Sequence, residues 1–460
     1  MKSYSEFVNH KTHLADNSGF EPIWIPPQMF DFQRALTEYA IRKGRAALFE
    51  DCGLGKTIQA LTWAENVVRH TNKPVLIMTP LSVARVYVNE GKKFGIECTR
   101  DLKKKSGIVI VNYEQLHKLD KNDYAGVVCS ESSILKNFEG ATKQAVTEFI
   151  KKTPFRMLET ATASPNDYIE LGTSSEALGH LGYMDMLGMF FKSTQNSLHP
   201  LSGLKARYGD TFADAKFRFK PHAEKIFWRW VCSWARACRK PSDVGFEDGG
   251  FKLPKLIENL NTCERESTRD GYLFNLPSVG LKEQREERRA TIVERCELVA
   301  EKVIARNDST VSWCHLNDEA DALENMVTGS KQVCGAHSDE EKEELFIAFE
   351  SGQLKNLIIK PKIGAFGLNW QHCNYVTWFV SHSYEQYYQA VRRCWRYGQK
   401  RPVTVEVIAS DGEEKVLANL RRKTDAANKM FDALVSAVND AMGIDNKNES
   451  TQKTEVPSWL

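Results

Sequence analysis

The sequence predicts an α/β protein with two parallel-sheet domains and a mainly helical insertion after the first domain. Short β-like runs alternate with helical patterns over residues 28–172, and the alternation returns over residues 256–445. Such alternation is typical of parallel sheets covered by helices, because parallel strands need long crossover connections. Residues 173–255 show no β periodicity, and aromatic and basic residues alternate closely in parts of this segment. This change of pattern indicates the insertion.

Apolar runs mark the strands within each domain. The candidates are residues 46–49, 75–78, 108–111 and 126–129 in the first domain, and 311–313, 357–359, 376–380 and 403–408 in the second. A long charged helix is predicted over about 281–306. A polar lead-in (1–27) and a polar, disordered tail (446–460) are expected at the two ends.

Net charge, cysteine content and the length of apolar runs limit the classes of protein to consider. The 460 residues carry a net charge of only +2, so any nucleic-acid surface must be a local basic patch. The 11 cysteines include no Cys-x-x-Cys pair, which favours reduced thiols in a cytoplasm. No apolar run reaches transmembrane length and the polar N-terminus is no signal peptide, so no membrane association is expected.

The most informative segment is 50–57, Glu-Asp-Cys-Gly-Leu-Gly-Lys-Thr, between a predicted strand and a predicted helix. Gly53 and Gly55 allow a tight turn whose N–H groups can contact phosphate oxygens. Lys56 would reach the β- and γ-phosphates of a nucleotide, and the Thr57 hydroxyl would bind magnesium.

The match to a phosphate loop is incomplete. The strict pattern has glycine where this chain has Glu50. The alternative interpretation is a plain loop before a core helix.

A second signal lies in residues 389–399, where Arg393 and Arg396 are three apart and would share one face of a helix. Guanidinium groups match phosphate oxygens well, although a solvated basic face is the alternative. The preceding glycine-rich segment 362–371, which includes Gly367, is predicted to be a turn between strand and helix.

Together these segments resemble motifs V and VI of the superfamily II helicase-like ATPases, in particular the Swi/Snf-related branch. Further segments resemble the other motifs of that family in the right order: 30–33, 79–83, 111–116, 131–137, 160–167 and 312–319. The resemblance covers about residues 28–410 and is nearest to compact bacteriophage members.

The resemblance implies two RecA-like lobes that use ATP with Mg²⁺. It implies catalytic roles for Lys56, for Glu131 as general base, and for Arg393 and Arg396 as arginine fingers. The implied nucleotide-binding residues are Gln33, Gly53, Leu54, Gly55, Lys56, Thr57, Ile58 and Gly367, and the implied metal-binding residues are Thr57, Ser130 and Glu131.

This chain departs from the family pattern at motif II, where Ser130 replaces the aspartate that helps to hold magnesium. A neutral hydroxyl is a poorer ligand for a hard cation than a carboxylate. In motif III, Glu159 stands at a usually apolar position and Ala163 replaces a common proline. These changes raise the prospect of weak hydrolysis.

The implied function is ATP-driven translocation on duplex DNA or on protein–DNA complexes, in phage replication, recombination or repair. One alternative is a catalytically weakened scaffold or switch that binds nucleotide and DNA, and another is a strand-separating DNA or RNA helicase. We expect a monomer in the host cytoplasm that contacts DNA phosphates regardless of sequence and works with phage or host repair proteins.

The aromatic and basic residues of 216–230 have two interpretations. The basic side chains could contact DNA phosphates while the aromatic rings stack on bases. Alternatively, Phe227, Trp228 and Trp230 form the core of the insertion and the basic residues are its solvated face.

Overall fold

The computed structural model describes residues 14–164, 167–193, 217–263, 281–306, 308–365 and 367–449. These residues form two compact units. The first contains the described residues up to Asp248 together with those from Ala426 onwards, and the second is Gly249–Asp425.

The first unit is built on a seven-stranded parallel sheet in the order β3-β4-β2-β5-β6-β1-β9. Its strands are β1 (Arg45–Glu50), β2 (Val75–Thr79), β3 (Cys98–Thr99), β4 (Ile108–Asn112), β5 (Gly126–Ser130), β6 (Phe155–Thr160) and β9 (Ala235–Cys238). The helices are α1 (Asp31–Lys43), α2 (Lys56–Thr71), α3 (Leu81–Phe94), α4 (Ala141–Ile150), α5 (Leu171–Leu178), α6 (Tyr183–Phe190) and α7 (Ala223–Cys232).

All seven strands run in one direction, so their carboxyl ends meet along one edge of the sheet. The predicted strands are confirmed to within two residues, because each is a run of buried apolar side chains. The phosphate-loop segment leaves the sheet at this edge after β1, and motif II leaves it there after β5. In parallel α/β sheets this edge is where ligands bind.

Three strands of the first sheet were not predicted: β3, which has only two residues, β6 and β9. Arg156 and Glu159 interrupt the apolar pattern of β6, yet both side chains are buried. Strand β9 lies within the predicted helical insertion and pairs in parallel with β1. It was missed because it has only four residues, one of which is Arg236.

The rest of the insertion consists of helices and a two-stranded antiparallel ribbon, β7 (Phe191–Ser193) with β8 (Phe217–Phe219). Phe227, Trp228 and Trp230 on α7 are at most 6% exposed and pack into the main core of the first unit. The aromatic residues are therefore core, as the second interpretation predicts. Lys216, at the start of this segment, lies outside the described residues.

The second unit contains a six-stranded parallel sheet in the order β10-β15-β14-β11-β13-β12. The strands are β10 (Leu256–Cys263), β11 (Thr310–Trp313), β12 (Ser330–Val333), β13 (Asn356–Ile359), β14 (Tyr375–Phe379) and β15 (Val403–Ser410). The helices are α8 (Leu281–Ala290), α9 (Ile292–Arg306), α10 (Asn317–Met326), α11 (Asp339–Glu350), α12 (Pro361–Gly364) and α13 (Tyr384–Val391). The predicted class of two parallel-sheet lobes is confirmed.

The predicted long helix over 281–306 is divided into α8 and α9 by a break at Thr291. Arg295 on α9 is 1% exposed and forms an ion pair of 2.7 Å with the buried Glu319 on α10. This pair holds α9 against α10, and their apolar faces form a compact cluster around Val299 and Leu323.

A final helix, α14 (Glu414–Glu449), begins in the second unit, but its residues from Ala426 onwards belong to the first. Phe431, Leu434 and Val438 lie three to four residues apart and join the core of the first unit. Asp432 also forms an ion pair of 2.6 Å with Arg239. The sequence assigned residues up to 445 to the second domain. Of the predicted tail, 446–449 are helical and 450–460 lie outside the described residues.

Among the described residues, no helix is both long enough and apolar enough to cross a membrane.

Candidate functional site

The loop before α2 has the backbone that phosphate binding requires. Gly53 and Gly55 both have positive φ, 91° and 88°. A β-carbon at Gly55 would lie 2.2 Å from Nε2 of Gln33, so that position has no room for a side chain. In the described part of the chain no side chain caps the α2 N-terminus, which leaves its N–H groups available to an anion.

Lys56 is held across this loop. Its Nζ donates to the carbonyl oxygens of Glu50 at 2.9 Å and Asp51 at 3.1 Å. The two acceptors are the last residue of β1 and the first residue of the loop, so the ammonium charge stays beside the α2 N-terminus. Thr57 follows in the first turn of α2 and is half-buried.

Gln33 joins α1 to the phosphate loop. It is 5% exposed, its Nε2 donates to the Leu54 carbonyl oxygen at 2.8 Å, and its Oε1 accepts from the Phe30 N–H at 3.1 Å. Both ends of the carboxamide thus have a partner. The structure shows Gln33 positioning the loop, and a direct role in reading adenine stays a prediction.

Glu50 explains why the phosphate-loop pattern tolerates a non-glycine residue. Its side chain is fully buried and Oε2 accepts from Nε2 of Gln59, on α2, at 2.8 Å. Burial raises the pKa of Glu50 to about 7, against the opposing effects of Lys56 and Gln59. The carboxyl therefore braces β1 against α2.

Motif II places Glu131 in a strained backbone. The residue follows the last residue of β5 with φ 55° and ψ 52°, the left-handed region that costs a side-chain-bearing residue about 1–3 kcal/mol. Its side chain is 8% exposed, and Oε2 has no hydrogen-bond partner among the described residues. Strain and an unpartnered buried oxygen at one position are typical of a functional residue.

Ser130 ends strand β5 beneath Glu131 and is 3% exposed. Its carbonyl oxygen accepts from the Tyr113 hydroxyl at 2.7 Å. The position that carries aspartate in the resembling family is therefore a small, buried, neutral residue.

Sequence reasoning gave Glu159 and Tyr87 no role at the site. Glu159 lies directly opposite Ser130 in the parallel register of β5 and β6. It is 2% exposed and accepts a short hydrogen bond from the hydroxyl of Tyr87 on α3. The sequence signal was an acidic residue at a usually apolar position of motif III.

Electrostatics connect Glu159 with the predicted site residues. Burial raises the pKa of Glu159, while the hydroxyls of Tyr87 and Ser130 and the charge of Lys56 oppose that rise. The negative charge of Glu131 raises it further. Burial and the charge of Glu159 in turn hold the pKa of Tyr87 well above its ordinary value.

Motif III begins at the end of β6. The Thr160 hydroxyl accepts from the Thr162 N–H at 3.1 Å, which shapes the turn after the strand. Ala163 is 7% exposed and packs in the main core of the first unit. Residues 165 and 166 lie outside the described residues.

In the second unit, Arg393 and Arg396 lie beyond the last helical residue of α13, in a turn. The prediction that they share a helix face is thus wrong about the helix, because α13 ends at Val391. The two guanidinium groups nevertheless converge, since Nη1 of each donates to the Leu368 carbonyl oxygen at 3.2 Å.

The two arginines differ in their surroundings. Arg393 is 3% exposed, and its Nε and Nη2 donate to the main chain and side chain of Gln389, each at 2.9 Å. Arg396 is half-buried. Arg393 therefore ties α13 to the glycine-rich segment, and Arg396 is the more accessible of the two.

The glycine-rich segment also differs from its prediction. It begins in the short helix α12 and continues as a loop into β14, so it does not lead directly into a helix. Gly367 has φ 74°, which favours glycine. The two arginines hold this loop through Leu368.

Comparison with known proteins matches part of the second unit to a known family. Residues 294–398 match the family described as helicase conserved C-terminal domain. A SWI/SNF-related matrix-associated actin-dependent regulator of chromatin subfamily A-like protein 1 from Xenopus tropicalis is 30% identical over 164 residues, which are 33% of this chain and 17% of that protein. These matches are to a helicase domain and to a Swi/Snf-related protein, and each covers less than half of this chain.

Another similarity extends over most of the chain's length. An uncharacterized ATP-dependent helicase, YqhH from Bacillus subtilis (strain 168), is 22% identical over 473 residues, covering 92% of this chain and 82% of that protein. Among solved structures, a Sulfolobus solfataricus SWI2/SNF2 ATPase core in complex with dsDNA aligns over 94% of this chain and 97% of that chain, with 18% identity and a TM-score of 0.41.

Proposed function

We propose that this chain is a DNA-dependent ATPase that moves along duplex DNA. The observation that carries the proposal is the pairing, at one edge of the first sheet, of a phosphate-binding loop with Glu131, whose buried carboxylate has an unpartnered oxygen. A cation for phosphate and a carboxylate for water are the two groups that nucleotide hydrolysis needs.

Each residue of the first unit has a distinct proposed role. Gly53, Leu54, Gly55 and the N-terminus of α2 surround the phosphates, with Ile58 packing beneath them and Gln33 holding the loop. Lys56 exchanges its carbonyl partners for β- and γ-phosphate oxygens. Glu131 orients the attacking water and accepts its proton.

The oxygen donors at this site suit magnesium, which prefers hydroxyl, carboxylate and phosphate ligands. Thr57 supplies a hydroxyl and Glu131 a carboxylate. Bound Mg²⁺ would neutralise charge that develops on the phosphate oxygens. With Ser130 in place of aspartate, the predicted set of metal-binding residues holds one negative charge fewer than the family pattern.

In the second unit we propose that Arg396 acts on the γ-phosphate and that Arg393 holds the turn that presents it, with Gly367 giving the neighbouring loop its shape.

Arg396→Ala should then lower maximal turnover strongly, while leaving nucleotide binding and thermal stability nearly unchanged. Arg393→Ala should lower both turnover and stability, because a buried side chain with three donated hydrogen bonds is removed. If the two variants lost turnover and thermal stability to the same extent, these separate roles for Arg396 and Arg393 would be wrong.

The proposed DNA contact includes the insertion. Lys192, Arg218, Lys220, Lys225 and Arg229 are exposed around the β7–β8 ribbon and α7. The rings of Phe227, Trp228 and Trp230 on α7 are buried, so this helix offers charge without exposed rings. Phosphate contact of this kind gives salt-sensitive binding that is indifferent to sequence.

A weakened ATPase that acts as a scaffold is the second candidate, and the neutral Ser130 is the observation that favours it. Such a protein would bind nucleotide and DNA with little turnover. A strand-separating helicase is a third candidate, distinguished by separation of forked DNA or RNA duplexes.

The setting of this activity is also a proposal. A bacteriophage origin, a bacterial cytoplasm, a monomeric state and partners in replication, recombination or repair rest on the motif resemblance alone.

Steady-state ATP hydrolysis tests the proposal most simply. We expect low turnover without nucleic acid, strong stimulation by duplex DNA, and less by single-stranded DNA or RNA. Lys56→Ala should abolish hydrolysis and weaken ATP binding, whereas Lys73→Ala, just beyond the far end of the same helix and exposed, should change neither. Unchanged turnover in Lys56→Ala would refute the ATPase assignment.

A further inference from the structure

The residue that lies opposite Ser130 on the neighbouring strand is acidic. Ser130 stands at the end of β5, and Glu159 stands directly opposite it on β6. Adjacent strands lie only about 4.8 Å apart. Relative to the family pattern, this chain has thus lost one carboxylate at position 130 and gained one at position 159, on adjacent strands.

The side chain of Glu159 is built into the site. It is 2% exposed, and the Tyr87 hydroxyl holds one of its oxygens. The other oxygen, Oε2, has no hydrogen-bond partner among the described residues. A buried carboxylate with one oxygen unsatisfied is costly unless a cation or another donor completes it.

The charges around Glu159 are those of the proposed nucleotide site. Lys56 of the phosphate loop and Glu131 of motif II both act on it electrostatically. Ser130 is the smallest hydroxyl residue, so it leaves room beside β5 for a glutamate that is one methylene longer than aspartate. Tyr87 fixes that longer side chain from α3.

We propose that Glu159 supplies the negative charge that the motif II aspartate provides elsewhere in the family, so that the acidic position for magnesium has moved from β5 to β6. The proposal rests on the proposed ATPase function. It assigns Ser130 the role of making space and Tyr87 the role of positioning the carboxylate. A purely structural Tyr87–Glu159 pair is the competing interpretation.

The test measures binding rather than turnover. A fluorescent ATP analogue is titrated into the full chain at increasing Mg²⁺, and then Mn²⁺, to obtain the metal concentration that gives half-maximal strengthening of nucleotide binding. Glu159→Gln keeps the shape of the side chain and an acceptor for Tyr87 but removes the charge. We expect it to raise the required metal concentration by about 10–100-fold.

The decisive comparison places a carboxylate at position 130 in the variant that lacks the one at position 159. Ser130→Asp combined with Glu159→Gln should return the metal requirement to near the wild-type value. Glu90→Gln, three residues from Tyr87 on α3, is the matched control and should change nothing. A wild-type metal requirement in Glu159→Gln, or no recovery in the double variant, would overturn the proposal.

Ser130→Asp alone decides the matter if Glu159→Gln does not fold. Two adjacent carboxylates repel each other, so a site already served by Glu159 should gain no metal affinity from a second one. A site that lacks its carboxylate should gain at least about tenfold, and that gain would refute the proposal. If instead the wild-type chain shows no metal-dependent, Lys56-dependent nucleotide binding, the proposed function itself fails and this inference falls with it.

Discussion

At the scale of single residues, Glu131 combines a left-handed backbone with a proposed role as general base. Its left-handed conformation suits glycine, and a side chain there costs about 1–2 kcal/mol. We expect Glu131→Gly to be more stable than Glu131→Ala by about 1 kcal/mol, because glycine relieves the strain that alanine keeps. Chemical denaturation of the two variants measures this difference.

Both Glu131 variants should lose ATP hydrolysis while they retain nucleotide binding, since each lacks the carboxylate that orients water. Residual turnover near the wild-type rate in either one would remove Glu131 from the role of general base. Equal stability of the glycine and alanine forms would show that the backbone at this position is not strained.

Glu50 makes stability depend on pH. Burial raises its pKa to about 7 in the folded protein, above its ordinary value of 4.5. Between these two pH values the folded state binds more protons than the unfolded state, so the contribution of Glu50 to stability is full below pH 4.5 and falls as the pH rises to about 7. The loss is about 3 kcal/mol at about 1.4 kcal/mol per pKa unit.

Glu50→Gln, which can still accept a hydrogen bond from Gln59, should remove this dependence. The difference in the free energy of unfolding between variant and wild type should therefore shift in favour of the variant from pH 5 to pH 8. A constant difference over that range would mean that Glu50 is ionised in the folded protein throughout.

At the scale of elements, the insertion packs with one set of side chains and carries its positive charge on another. The aromatic side chains of α7 are buried, whereas Arg218 and Arg229 are exposed. We expect Arg218→Gln combined with Arg229→Gln to weaken duplex binding, and to reduce the slope of log affinity against log salt by about 1 for each phosphate that the protein no longer neutralises. Fluorescence anisotropy at several salt concentrations measures both effects.

Glu224→Gln is the matched control for that experiment, because it removes an exposed charge of opposite sign from the same helix. It should leave the salt slope unchanged and should not weaken binding. Unaltered affinity and slope in the double arginine variant would remove the insertion from the DNA surface.

Strands could be predicted where they are runs of apolar residues and were missed where they contain charged ones. Strands such as β1, β2 and β5 are continuous apolar runs, and the sequence alone located them. Strand β6 was missed because it contains Arg156 and Glu159. Burial of Arg156 is compensated by carbonyl acceptors at Lys151, Thr153 and Ala177, which only the folded chain brings together.

The candidate site, too, could be predicted only where its residues are close together in the sequence. Motif spacing could single out Lys56, Glu131 and both arginines as candidates, because each lies in a short contiguous pattern. The pairing of Ser130 with Glu159 joins residues far apart in the chain through strand register, and the Tyr87 contact comes from a third element. Strand register could not be read from the order of the residues.

At the scale of the whole molecule, the proposed function is ATP-driven movement along duplex DNA. Displacement of the third strand from a DNA triplex measures such movement directly, because a translocating protein removes that strand without separating the underlying duplex. We expect wild-type protein with ATP and Mg²⁺ to displace the strand and to leave forked duplexes paired, whereas Lys56→Ala should leave both the triplex and the forked duplexes intact. Hydrolysis without displacement, or separation of forked duplexes in its place, would contradict the claim.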